Sequence, residues 1–210
     1  MGSPLGTDAV GRGGGQGESA LTTAFRDAAR FALRDRTAAH HARIDAAFGR
    51  LDLASADGLA TFLSAQHIAL SVAEPVLSRA PGLSKLPARL DAISHDLAAL
   101  GRAGPADPGA PFPLAGADRD PLGVAYVVGG SALGGRILSR RRLASSDPGV
   151  REAGAFMDDP RMMAYWRAVL AALRSVRPEP DRLDGLARAA VATFDLFEDA
   201  LQRVKRHGLD

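Results

Sequence analysis

The run Gly129-Gly130-Ser131-Ala132-Leu133-Gly134-Gly135 constrains the fold of this chain more than any other stretch. It stands inside an apolar, helix-patterned segment that extends from about Pro121 to Leu143. A glycine in a helix interior costs ~0.5–1 kcal/mol relative to alanine. Four of them in seven positions are expected only where something must come very close to the backbone, or where the helix must bend. A flat, bulky ligand lying over the helix would require both.

The rest of the chain is also written in helical period. Leu21, Phe25, Ala28 and Ala32, then Leu33, Thr37, His41, Ile44 and Phe48, predict one long opening helix that ends near Gly49. Ser55 is placed to cap a second helix carrying Leu59, Phe62, Leu63, His67 and Leu70, with Pro75 kinking or ending it. A third is predicted from Ser84 to Leu100, and two more over about 160–175 and 180–206. Pro121 suits the first turn of the glycine-bearing helix, where its missing N–H is not needed. No window alternates with period two, so a sheet is not expected. The expectation is an all-α single domain over residues 18–207, following a glycine-rich flexible tail over 1–17. Between Gly101 and Gly116, Pro105, Pro108, Pro111 and Pro113 mark the longest internal loop.

At 210 residues the chain is long enough for a substantial core, and 46% hydrophobic composition argues against disorder. Aromatics are 5%, so that core must rest on Leu, Ala, Val and Ile. There is no cysteine, which excludes disulfides, thiolate metal sites and a cysteine nucleophile, and suits a reducing cytoplasm. A formal net charge of +2 is too small for a typical duplex binder. The basic cluster Arg136, Arg140, Arg141 and Arg142 reads first as a solvated helix face, and second as an anion or partner site. No uninterrupted apolar run reaches the ~20 residues needed to span a bilayer, and the N-terminus lacks a secretory layout. A cytoplasmic protein with no nucleic-acid or membrane partner is expected.

His40 and His41 lie on the opening helix. His41 shares a face with Arg34, Thr37, Ile44 and Phe48, while His40 is turned about 100° away, toward the rim. An inward imidazole can be a hydrogen-bonded core residue, a metal ligand or a base. Zinc is a poor fit, because no two of His40, His41, His67, His95 and His207 have a zinc-motif spacing. Haem brings four nitrogens of its own and needs only one from the protein. A helix bearing an inward histidine and another bearing bare backbone could hold such a group between them. Arg34, two turns from His41, would then be placed to bind a haem carboxylate.

Two segments make the comparison concrete. Leu33-Arg34-Asp35-Arg36-Thr37-Ala38-Ala39-His40-His41-Ala42-Arg43-Ile44-Asp45 resembles the proximal-helix motif of the haem oxygenase family. Tyr126-Val127-Val128-Gly129-Gly130-Ser131-Ala132-Leu133-Gly134-Gly135-Arg136 resembles its distal-helix motif. The bacterial, biliverdin-producing branch associated with phytochromes is the most similar, and weaker echoes run through Arg89–Gly101 and Thr193–Glu198. The resemblance implies a haem-oxygenase-like helical bundle with a glycine-kinked distal helix. It implies His41 as the iron ligand, Arg34 and, less securely, Arg167 as propionate contacts, and Gly130, Gly134 and Gly135 along the haem face. Phe197 would be an aromatic of the pocket wall. Ser131 stands where the animal-type pattern has a carboxylate, as in the bacterial branch.

The activity so implied is oxygen-dependent cleavage of haem to biliverdin, CO and free iron, with Gly130 and Gly134 crowding the oxygen site and Ser131 orienting water for proton delivery. Haem is both substrate and cofactor, and molecular oxygen is the co-substrate. Electrons must come from outside, from a ferredoxin or a flavoprotein reductase, since no dinucleotide turn or cluster cysteines exist here. Arg136 and Arg140–Arg142 are expected to help dock such a donor, and a bacteriophytochrome is the expected recipient of biliverdin. The alternatives are a haem carrier or sensor without turnover, and a helical partner-binding domain without haem.

Overall fold

We describe the protein from a computed structural model, over residues 15–80, 82–104, 114 and 119–207; for 15–26 and 207 the backbone alone is described. The predicted tail therefore lies outside the described residues up to position 14, and so does most of the proline-rich loop. Helix already begins at Gly15, three residues before the boundary expected from sequence. Seven helices follow, with no strand among the described residues: α1 (Gly15–Gly49), α2 (Ala56–Leu77), α3 (Arg89–Ala99), α4 (Pro121–Leu143), α5 (Pro148–Glu152), α6 (Arg161–Arg174) and α7 (Pro180–His207).

The helix starts are chemically explicit. The Ser55 hydroxyl accepts the Gly58 N–H to open α2. The Asp120 carboxylate accepts from Leu122 and Gly123 to open α4, with Pro121 in the first turn. Asp147 does the same for the short α5, which sequence periodicity had left as a mere boundary. The third helix starts at Arg89, not Ser84. Pro87 keeps Leu86 out of the helical region, and no side chain of the cap residue Ala88 bonds the first turn. The Glu74 carboxylate of α2 lies close to the backbone N–H groups of Arg89 and Leu90 at that end. Gly101, at φ +67°, ends α3 in the left-handed region that favours glycine, and Arg102 N–H returns to Leu97 O at 2.9 Å. Pro75 does not end α2, which continues to Leu77.

The helices form one single-domain bundle around α7, which packs against α1, α2 and α4; α6 lies across α4 and α1, and α3 leans on α2. As the composition required, the core is mostly aliphatic: Leu33, Leu59, Leu63, Ile93, Leu97, Val124, Leu186 and Leu201 are fully buried. The first half of α4 is part of this core. At Gly123 a Cβ would lie 2.5 Å from Leu186 O and 2.8 Å from the Ala189 side chain, so glycine there lets α4 and α7 touch. The second half of α4 emerges from the core, and Leu133 and Ile137 are 54% and 64% exposed. Among the described residues α4 is also the one helix long and apolar enough to cross a membrane by length and composition.

Candidate functional site

Helices α1 and α4 are held side by side without packing extensively on each other. They come together near one end, where the Tyr126 phenol of α4 lies beside the Thr37 hydroxyl of α1, which itself donates to Leu33 O at 2.7 Å. Beyond the other end, the Arg141 guanidinium donates to Leu51 O and the Ser145 hydroxyl to Ala54 O at 2.5 Å, just past the end of α1. The helices therefore run in the same direction between two points of attachment. By helix rise, the interval is about 18 Å on α1 from Thr37 to Gly49 and about 22 Å on α4 from Tyr126 to Arg141. Within it the stripe continuing from Thr37 is His41, Ile44 and Phe48. The stripe continuing from Tyr126 is Gly130, Leu133, Gly134 and Ile137.

The glycines of α4 differ in what they face. A Cβ on Gly129 would meet the rings of Trp166 and Tyr165 at 3.2 and 3.3 Å, so that glycine is explained by the packing of α6. A Cβ on Gly130 would make only ordinary contact with Trp166, at 3.8 Å, and one on Gly134 would meet nothing within 4 Å. Gly135 faces Met157 O, 3.4 Å from its would-be Cβ. Packing among the described residues thus gives no reason for glycine at 130 or 134. The helix is α-helical from Pro121 to Leu143 without a break at these positions.

On α1 the two histidines exchange the places expected of them. His40, expected at the rim, is the better covered, with 24% of its side chain exposed. Its Nδ1 is 3.1 Å from Asp195 Oδ1, which also accepts from Arg43 at 2.8 Å. His41, expected inside, is 61% exposed because α4 stands away from it. Its Nδ1 lies 3.1 Å from Asp45 Oδ2, one turn on, and its ring meets Phe194 of α7 edge-on at 5.7 Å. An imidazole whose Nδ1 is engaged by a carboxylate presents Nε2 as the available donor atom.

Phe194 is the aromatic that the structure sets against His41. Phe197, the sequence choice, lies one turn further along α7, buried in the core. The resemblance named Phe197 alone; that Phe194 reaches α1 follows from how α7 packs on that helix.

The end of the interval at Thr37 and Tyr126 is basic. The charges of Arg30 and Arg34 both act on the Tyr126 phenol, although burial dominates and pushes its pKa up. Arg34 is exposed, pairs with Asp35 at 3.1 Å and lies over the Phe31 ring at 5.4 Å. Arg174 near the end of α6 bonds Asp27 at 3.0 Å, while Trp166 packs on Tyr126 at 5.8 Å. Helix α6 therefore packs along α1, and Arg167 on it is exposed.

Ser131 is exposed, and its hydroxyl donates to Val128 O of its own helix at 2.7 Å, leaving the oxygen lone pairs as acceptors. Arg136 and Arg140 are exposed as the sequence suggested. Arg142 is not part of that solvated face: it is 1% exposed and bonded to the 150–158 segment. A separate open groove between α1 and α7, lined by Arg36, Asp184, Arg188, Val191 and Asp195, lies on the His40 side of α1. Among the described residues no cluster of His, Cys, Asp and Glu could by itself hold a metal ion.

No protein-family model matches the chain, and no curated protein does.

Proposed function

We propose that this chain is a haem oxygenase: it binds haem between α1 and α4 and, with molecular oxygen and externally supplied electrons, converts it to biliverdin, CO and iron. The observation that carries the reading is the pair Gly130 and Gly134. They sit one turn apart on the stripe that continues from the Tyr126–Thr37 contact, and among the described residues no atom requires either to be glycine. Glycine is costly in mid-helix, and a body that comes close to the backbone gives it a physical reason. Further support comes from the stripe across from them, where His41 is exposed and oriented by Asp45, as a metal-binding imidazole is by a carboxylate.

The available residues fit haem. His41 Nε2 is the donor for its iron, and Arg34 with Arg167 takes the carboxylate edge at the basic end. Leu133 and Ile137 cover its apolar face, and Gly130 and Gly134 allow α4 to bend onto the ring in a haem-oxygenase-like bundle. Once bound, haem supplies the oxygen chemistry. The chain orients it, excludes bulk water with the α4 face and holds a water at Ser131 Oγ for proton delivery. Arg136 and Arg140 face the solvent where an acidic electron donor such as a ferredoxin or a flavoprotein reductase would dock. A bacteriophytochrome is the proposed recipient of the product, and the cytoplasm the proposed compartment.

The hydroxyl hydrogen of Ser131 is engaged by its own helix, and that favours one second reading, a haem carrier or sensor that does not turn over. One experiment separates the two. Haemin is titrated into the full chain, and a ferredoxin system or ascorbate is added under air while the spectrum is recorded. Loss of the Soret band with growth of the broad red biliverdin absorption is expected. A persistent ferrous-oxy spectrum would establish the carrier, and no Soret change on adding haemin would reject both readings.

A further inference from the structure

A glycine face cannot lock a helix by interdigitating side chains, so the rotation of the outer half of α4 must be set elsewhere. We propose that Arg142 sets it: the residue clasps α4 to the 150–158 segment and thereby aims Gly130 and Gly134 toward α1, which makes Arg142 a positioning residue for the proposed haem slot. The proposal rests on the slot reading only for the purpose of the clasp, not for its existence.

Arg142 lies seven residues beyond Gly135, two turns further on the same face of α4. Both face one segment of chain. At Gly135 the neighbour is Met157 O, 3.4 Å from the would-be Cβ. At Arg142 the guanidinium donates from Nη1 to Val150 O at 3.2 Å and to Arg151 O, and from Nη2 to Asp158 Oδ2 at 2.7 Å. The pair lies so tightly over Gly154 that a Cβ there would be 2.6 Å from Asp158 Oδ2 and 2.7 Å from Arg142 Nη2. The segment itself is fixed from its other side. Asp96 of α3, wholly buried, accepts the N–H groups of Ala155 and Phe156 at 2.8 Å each, and Arg89 donates to Phe156 O at 2.7 Å. The clasp thus joins α4 to a rigid support. Phe156 also packs against Phe62 of α2, and Phe62 against Phe48 on the α1 stripe, so the support is linked to α1 through α2.

The chain has no cysteine, so single cysteines at exposed Ala46 of α1 and Arg140 of α4 can carry a pair of spin labels and report the spacing of the walls without haem. Turning α4 by ~30° moves a group ~5 Å from its axis by about 3 Å. Arg142→Met is expected to shift or broaden the label distance by that amount at unchanged helical content. Arg142→Lys, which keeps the charge beside Asp158, should restore most of it. If Arg142→Met does not fold, Asp158→Asn carries the same expectation at a half-exposed position. An unaltered distance distribution in whichever variant folds overturns the proposal. In parallel, haemin is added to the same variants: a Soret band displaced from that of the parent chain in Arg142→Met and returned in Arg142→Lys supports positioning. Failure of the parent chain to bind haemin at all would overturn the slot's ligand, while the label distances would still decide the clasp.

Discussion

His40 and His41 are chemically identical neighbours, and their surroundings divide their roles. His40 is tied into the α1–α7 contact through Asp195 and Arg43. His41 is exposed, with Asp45 on Nδ1. His41→Ala is therefore expected to abolish the axial-ligand signature of bound haem and ordinary turnover. Asp45→Asn, which weakens only the orienting bond, should lower haem affinity by roughly 10–100-fold. His40→Ala should leave the haem spectrum intact and cost about 0.5–1.5 kcal/mol of stability through the lost hydrogen bond. Absorption spectra and denaturant melts of the three variants check this. A spectrum lost in His40→Ala and kept in His41→Ala would reverse the assignment. The sequence marked the pair, but the exposure of each was not legible in it. Helical registry orders side chains around α1, and only the positions of α7 and α4 decide which direction is interior.

At the scale of one helix, α4 contains glycines of opposite meaning. Gly123→Ala should destabilise the chain by about 1–3 kcal/mol, because its methyl group would enter the backbone of α7. Gly134→Ala meets nothing and should stabilise the haem-free chain by up to ~0.5–1 kcal/mol through helix propensity. Gly130→Ala should behave likewise, since Trp166 is at ordinary contact distance. Thermal melts of the three single variants without haem test the ordering. Gly134→Leu should keep the fold and lose haem binding, as seen by titration; a leucine that leaves the haem affinity unchanged would remove the glycine argument. The run itself was plain in the sequence. That Gly123 and Gly129 serve packing while Gly130 and Gly134 do not could be read only once α6 and α7 were in place.

For the molecule as a whole, a pH dependence follows from α2. His67 is half-buried, its Nδ1 has no hydrogen-bond partner among the described residues, and burial lowers its pKa below the ordinary 6.5. The unfolded chain accepts a proton near pH 6.5 that the folded chain resists. The contribution of neutral His67 is present above that pH and is lost as the pH falls through the lowered folded value. Denaturant melts from pH 7.5 downward should show this loss, and His67→Leu should flatten that part of the profile. A parallel decline in the variant would show that other groups cause it.

The sequence by itself determined that this chain is helical, where most helices begin and end, and which helix carries bare backbone. These are local properties: hydrophobic period, caps, prolines and glycines act within a few residues. The start of α3, the burial of Arg142 and the partner of His41 were decided by tertiary structure. Each depends on groups far apart in the chain: Glu74 against Arg89, Asp158 against Arg142 and Phe194 against His41. The separation of α1 from α4 belongs to the same class, since neither stripe alone says that α1 packs on α7 and α6 rather than on α4.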